Sequence, residues 1–273
     1  EGEKLKPVKL RGALSQGLIL PTNLLVNYTY EVGDDVTERF GVTKWEPPIN
    51  ANMAGNIKGN FPSFIPKTDQ ERIQNLKKEF DQWSRENHAW EVTEKLDGSS
   101  MTVYWNGENF GVCSRNLELK EDEGNTYWRL ARQLELQEKL QKTGLNVALQ
   151  GELIGEGVQK NPYGLMGHEF RVYDIFDIDQ QKYLGPDQRM ALIEGLDLNH
   201  VPVIDTMFIL APEMTVGELL KKAEGNTEVV NHKLVRPSKE REGLVFKRAD
   251  GKHSFKAISN KFLLKQDANE RSA

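Results

Sequence analysis

The chain has 273 residues, 38% hydrophobic and 28% charged, with a net charge of −5, enough for one large domain or two small ones and too acidic for a uniformly basic nucleic-acid binder. It holds no run of about eighteen apolar residues and opens on no secretory pattern, so neither a membrane span nor secretion is expected. Cys113 is the only cysteine and the five histidines are scattered without ligand spacing, which predicts no internal disulfide, no zinc site and an intracellular, reducing setting.

In chain order, residues 1–66 form a lead-in segment rich in Gly, Pro and Asn, with 36–48 and 50–66 read as ordered loops carrying short strands. Thr68 and Glu71 have capping-box spacing, and Ile73, Leu76, Phe80 and Trp83 share the face of a first helix. Residues 88–93 alternate apolar and polar side chains as a half-buried strand does, with Trp90 and Val92 on one face. Lys95 stands at its end, two residues before an Asp97-Gly98 turn. Residues 101–105 and 108–113 flank Asn106-Gly107, which predicts a hairpin with a two-residue type I′ loop. A second helix is expected over 125–142, burying Tyr127, Leu130 and Leu134 with Ala131, and stopping at Gly144. Pro186 opens a third near 187–194, and Thr215 with Glu218 caps a fourth that runs through Ala223. Apolar runs of strand length lie at 147–154, 170–178, 201–210 and 243–247. Strands dominate and helices are interspersed, so the fold class is α+β with largely antiparallel sheets flanked by helices.

The charge is uneven. Between Lys233 and Lys265 ten Lys/Arg stand against three acids, a balance of +7 that leaves −12 on the remainder. Such a segment reads either as a phosphate-binding face or as solvated surface.

Chemistry is signalled by charges set inside or beside the apolar runs, where burial is costly unless the charge is paired or used. Glu152 follows 147–151, Asp174 and Asp177 interrupt 172–178, Glu242 precedes 243–246, and Lys256 follows Phe255. Lys95, where a strand opens into a turn, is where a nucleophilic amine would be placed. Each alone also reads as an ordinary strand-end charge, and Lys-x-Asp-Gly alone as a surface lysine beside a turn.

As an ordered set these residues resemble the covalent nucleotidyltransferase superfamily of polynucleotide ligases and capping enzymes. The lysine motif falls on Lys95-Leu96-Asp97-Gly98, followed by Ser114-Arg115-Asn116, Gly151-Glu152-Leu153, Phe170-Arg171-Val172-Tyr173-Asp174-Ile175, Glu242-Gly243-Leu244-Val245-Phe246-Lys247 and Ser254-Phe255-Lys256. Within the superfamily the chain is similar to ATP-dependent RNA ligases of the nick-sealing group whose OB domain precedes the catalytic domain. Leu10-Arg11-Gly12, 15–21, Lys67-Thr68-Asp69, Arg72 to Asn75 and Asn161-Pro162-Tyr163 carry that finer likeness. Ile258 stands where some relatives have a second lysine, with Lys261 as a possible substitute.

The resemblance implies an adenylyltransferase domain, ATP-grasp-like, over 1–273 with its nucleotide cleft between sheets, and an OB domain upstream of this chain. It implies lysyl-AMP on Lys95, transfer of AMP to an RNA 5′-phosphate, and joining to a 3′-hydroxyl in a nicked duplex by a monomeric enzyme. A neutral lysine at neutral pH costs about 4–5 kcal/mol. Asp97 alone would worsen this, and a divalent cation beside the amine would relieve it. Asp97, Glu152 and Glu242 are therefore expected to hold Mg²⁺ or Mn²⁺ largely through its waters. Lys256, helped by Lys247, would face the α-phosphate. Tyr173 would stack on adenine with Phe176 as the alternative, the main-chain groups of Thr93 and Glu94 would read the adenine edge, Glu152 and Arg115 would hold the ribose, and Arg115 with Asn116 would place the RNA end. Two other readings stand beside this one: a DNA ligase or other nucleotidyltransferase of the same fold, and a non-catalytic RNA-binding module.

Overall fold

Between residues 51 and 273, alternation along the apolar runs builds two mostly antiparallel sheets, and the lysine motif is the chain's passage from one to the other. The computed structural model describes residues 55–229 and 239–271, with side chains to 265, and before them only positions 8–10, 13–15, 21, 23, 29, 31–37 and 39–41. Most of the 10–12 and 15–21 motif, much of 36–54, and His232, Lys233 and Arg236 lie outside the described residues. The chain divides into two units, Glu1–Asn50 and Ala51–Ala273. In the first, β1 (Val8–Leu10) pairs antiparallel with β2 (Ala13–Ser15).

In the second unit, one sheet orders β10 (Lys182–Tyr183), β9 (His168–Asp177), β8 (Val147–Gly155), β5 (Ser99–Trp105), β6 (Phe110–Cys113), β7 (Leu117–Leu119) and β3 (Ile57–Asn60). A short β11 (Asn199–His200) joins β9 in parallel. The other sheet orders β12 (Val203–Ile209), β4 (Ala89–Lys95), β13 (Gly243–Arg248) and β14 (Ser254–Ile258). The predicted α+β class with largely antiparallel pairing is what the structure has.

Met101, Val103, Val112, Leu149 and Phe170 turn one face of the larger sheet toward Trp128, Leu130, Leu136, Leu140 and Ile193. These come from α2 (Thr126–Gln133), α3 (Leu136–Thr143) and α4 (Pro186–Gly195). Its opposite face is covered by Phe61 and Ile65, so the end of the 1–66 lead-in is part of this sheet's core. In the smaller sheet Trp90, Val92, Leu244, Phe246 and Phe255 pack on Phe80 and Trp83 of α1 (Lys77–Trp83) and on Leu219 and Ala223 of α5 (Val216–Ala223). A last helix, α6, spans Asn260–Arg271. No helix among the described residues is long and apolar enough to cross a membrane.

The expected capping box on α5 is present, with Glu218 N–H donating to Thr215 Oγ1 and Thr215 N–H to Glu218. At the first helix it is not. Only a 3-10 turn, Ile73–Asn75, precedes α1, because the Lys256 N–H donates to the Glu71 carbonyl and Arg72 bridges to β14. Strand-like pairing there replaces the helical turn. The second helix starts as predicted, on an Asn125 cap, but breaks at Glu135, whose φ of 54° ends α2 and restarts α3. Tyr127 is only partly buried and borders the cavity described below, so it is not a plain core residue. The Asn106-Gly107 hairpin closes with four residues, 106–109, because Asn106 Oδ1 accepts the N–H groups of Glu108 and Asn109 and stretches the loop. The run at 201–210 is β12 alone, entered from Val201-Pro202 after β11.

Candidate active site

β4 ends on Lys95, and Leu96 to Gly98 carry the chain across to Ser99 at the start of β5. Two glycines set the approach of the flanking strands. A Cβ on Gly98 would lie 2.5 Å from the Leu153 carbonyl oxygen, so only glycine lets β8 come this close. A Cβ on Gly243 would lie 2.2 Å from the Ala257 oxygen, and Gly243 is the register partner of Lys95. Glu242, one residue earlier, therefore stands beside the lysine: Lys95 Nζ donates to Glu242 Oε2 at 2.8 Å. Glu152 arrives on β8 opposite Ser100.

Thr93, Glu94, Lys95, Asp97, Arg115, Glu152, Tyr173, Glu242, Lys247 and Lys256 all border one cavity of about 510 Å³, between the two sheets. Every residue expected to form the site is thus brought together. Phe176, the alternative stacking ring, packs instead in the core with Tyr104 and Ala148.

Burial sets the charge state of the three carboxylates. Burial pushes Glu152 up to about 8; Lys95 opposes this, while Glu242 and Asp97 add to it. Burial also raises Glu242 and Asp97, again against Lys95. Burial and the neighbouring Lys95 hold Lys256 below the ordinary lysine range. Among the described residues no three His, Cys, Asp or Glu groups could hold an ion directly. Three partly buried carboxylates, all raised by burial and two of them, Glu152 and Glu242, also by carboxylate neighbours, nonetheless fit a hydrated divalent cation, which needs few direct ligands.

On the opposite wall, Tyr173 donates from its hydroxyl to Thr68 Oγ1 at 3.0 Å. Lys247 Nζ reaches the Tyr173 carbonyl at 2.7 Å and Asp174 Oδ1 at 2.8 Å, and lies 5.5 Å from the Tyr173 ring centre. Its charge is therefore matched by Asp174. Behind it Arg189 of α4 spans both oxygens of Glu91 on β4 at 2.6 and 2.5 Å, fully within the core, and donates to His200 at 3.1 Å. The Glu94 carboxylate is taken by the Thr227 hydroxyl at 2.5 Å and the Glu228 N–H at 2.8 Å. At the exposed mouth Arg115 pairs with Asp69 at 2.6 Å, and Lys67 donates to Asn116 at 3.2 Å.

The basic segment is not one phosphate-binding face among the described residues. Lys247, Arg248, Lys261 and Lys265 pair with Asp174, Glu86 and Asp250, Glu224, and Glu240 respectively. Arg241 caps the carbonyls at the end of α5. Lys261 is thereby drawn to Glu224, away from any second motif contact beside Ile258. Sequence reasoning gave no role to Glu91, Arg189, Gln159 or Tyr163, although Asn161-Pro162-Tyr163 was the signal that pointed to the last of these.

Residues 88–261 match the family model for RNA ligase. No curated protein sequence matches the chain. Among solved structures, a Naegleria gruberi RNA ligase mutant with ATP and Mn is 46% identical, over 96% of this chain and 76% of its own, with a TM-score of 0.70. The Naegleria gruberi RNA ligase with PPi is 46% identical over 97% and 77%, at 0.71, and another mutant with AMP and Mn is 47% identical over 96% and 76%, at 0.70.

Proposed function

The chain belongs to the RNA ligase family, and on that footing we propose that it seals nicks in RNA through a covalent AMP adduct on Lys95. The observation that carries the reading is Lys95 Nζ at 2.8 Å from Glu242 Oε2, in a cavity of about 510 Å³ that Glu152, Tyr173 and Lys256 also border. That volume is within the range of sites that enclose a nucleotide-sized ligand.

Lys95 Nζ forms an N–P bond to the α-phosphorus of ATP, the bond to the β-phosphate oxygen breaks, and pyrophosphate leaves. Glu242 Oε2 already accepts the amine's hydrogen bond and gives the departing proton a place to go. An oxygen of the RNA 5′-phosphate then takes AMP from the lysine, breaking the N–P bond and restoring the amine. The 3′-hydroxyl oxygen finally attacks the 5′-phosphorus and AMP leaves. Lys256 turns positive charge toward the phosphate undergoing displacement. Tyr173 stacks on adenine, its ring held by Thr68 and by Lys247 on its carbonyl. The main-chain groups of Thr93 and Glu94 read the adenine edge, Glu152 and Arg115 hold ribose hydroxyls, and Arg115 with Asn116 places the RNA end. A Mg²⁺ or Mn²⁺ held by Asp97, Glu152 and Glu242 supplies the positive charge that favours a neutral amine and offsets charge on the phosphate.

The nick-sealing assignment rests on the Lys67-Thr68-Asp69, Arg72 to Asn75 and Asn161-Pro162-Tyr163 motifs, and with it goes an OB domain on the N-terminal side of the catalytic one. Incubation with ATP and Mn²⁺ is expected to add the mass of one AMP, and Lys95→Met to abolish the addition while leaving the circular dichroism spectrum intact. Labelling that persists in this variant removes Lys95 from the chemistry. Faster sealing of a nick with a deoxyribose 3′ end than of one with a ribose would favour a DNA ligase. Sedimentation tests whether the chain acts as a monomer.

A further inference from the structure

The turn after the nucleophile, Leu96 to Gly98, lies beyond the end of the β4 ladder and before β5; the Gly98 N–H reaches the Glu152 side chain on β8, but strand pairing does not hold the Asp97 N–H or the Gly98 carbonyl. The connection between β8 and β9, residues 156–167, holds them instead. The Asp97 N–H donates to Tyr163 Oη at 2.7 Å, and Gln159 Nε2 donates to the Gly98 carbonyl at 3.2 Å. The grip covers both sides of Asp97, and through Gly98 it reaches the peptide that approaches Glu152.

The connection has an unusual backbone. Gln159, Lys160 and Asn161 follow one another at φ of 46°, 58° and 50°, left-handed conformations unfavourable for residues with a Cβ. Such a run persists only where its surroundings over-determine it, and such sites cluster near function. Here Asn161 does the fastening: its side chain accepts the Leu165 N–H at 3.0 Å and donates to the Leu165 carbonyl at 2.8 Å. Leu165 and the Tyr163 ring pack with Leu96 and Ile154, so the strap is anchored in the same small core as the turn.

We propose that Tyr163 and Gln159 are positioning residues for the nucleophile, fixing Leu96 to Gly98 so that the Lys95 amine and the Asp97 and Glu152 carboxylates keep their relative places. The proposal rests on the lysyl-AMP reading above. An error of about 1 Å in a reacting group can cost on the order of a hundredfold in rate. The strap's two hydrogen bonds go to the turn. Tyr173, which is chosen for the base, packs against the same small core but is held by Thr68 and Lys247, so loss of the strap's bonds acts on lysine attack rather than on holding the nucleotide.

The test compares two reactions of the full chain: AMP labelling with radioactive ATP and Mn²⁺, and sealing of an RNA nick whose 5′ end already carries AMP, without ATP. The second uses the same cavity but forms no N–P bond. Tyr163→Phe keeps the ring and removes the acceptor; it is expected to slow labelling by about tenfold at saturating ATP, with the KM for ATP and the sealing of adenylylated RNA within about threefold of the parent. Gln159→Ala, on an exposed side chain, is expected to slow labelling by about threefold to tenfold with sealing unchanged. Equal losses in both reactions, or no loss in either variant, overturn the positioning role. A parent chain that takes up no AMP overturns the ligase reading itself, a result separable from the other two.

Discussion

Glu152→Gln is expected to make the metal-free protein more stable at pH 8, although it removes a residue of the site. Burial holds Glu152 at about 8 against an ordinary 4.5. At about 1.36 kcal/mol per pH unit, a gap of roughly 3.5 units is at most about 5 kcal/mol. Glu152 is not fully shielded from water, and screening reduces this to roughly 2–3 kcal/mol. The sign follows from proton counting. Between pH 4.5 and 8 the folded state keeps a proton that the unfolded chain has released, so stability is present below 4.5 and is lost as pH rises through about 8. His200 runs the other way: burial lowers it to about 4, and its contribution, present above 6.5, is lost as pH falls toward 4. The clean window is therefore pH 6.5 to 8. In EDTA, urea unfolding followed by tryptophan fluorescence should show the parent losing roughly 1 kcal/mol across that window, with the Gln variant flatter and more stable at its upper end. The amide oxygen of Gln still accepts the Gly98 N–H, so geometry is preserved. Excess Mn²⁺ at pH 8 should stabilise the parent by about 2.7 kcal/mol at a hundred times its Kd, and the variant by less. Identical slopes for the two proteins, or parent stability that climbs across the window, would refute the reasoning.

Arg189→Met leaves the Glu91 carboxylate buried with its bonds at 2.5 and 2.6 Å unmade, and a loss of about 3–5 kcal/mol in urea unfolding is expected. Adding Glu91→Leu should restore much of it, since an apolar pair of similar volume removes the unpaired charge. Glu242→Ala, which deletes the Lys95 partner, should lose AMP labelling by at least about a hundredfold while unfolding at a similar urea concentration; metal-dependent labelling at the parental rate would remove Glu242 from the site. Gly98→Ala forces a Cβ to within 2.5 Å of the Leu153 carbonyl, so β8 must retreat; about 1–3 kcal/mol of stability should go, and labelling with it.

Local rules read well where neighbours in sequence are also neighbours in space. The Thr215 and Glu218 capping box, the Asn125 cap and the Trp90–Val92 face are of this kind. They read poorly where a distant strand competes. Glu71 carries a capping-box signal, but its carbonyl is taken by Lys256 from β14 and the helix starts later, at Lys77. Asn106 redirects its own hairpin through side-chain bonds that no dipeptide preference contains. The cations after Lys233 look like one surface in one dimension, yet Arg248 turns to Glu86 and Lys261 to Glu224.

What the sequence determined by itself was the class of fold, since alternation sets strand faces, and the ordered motifs named a lysine, carboxylates and an aromatic that border one cavity. What the tertiary structure alone decided was their geometry. Lys95 and Glu242 are 147 residues apart and meet only because β13 pairs with β4 in a register that sets Gly243 opposite the lysine. Tyr173 rather than Phe176 borders the cavity because Phe176 lies further along β9, opposite Ala148, where it packs with Tyr104 and Phe61. Register and the close approach of strands are sums over many weak, distant contacts, and no local window of residues contains them.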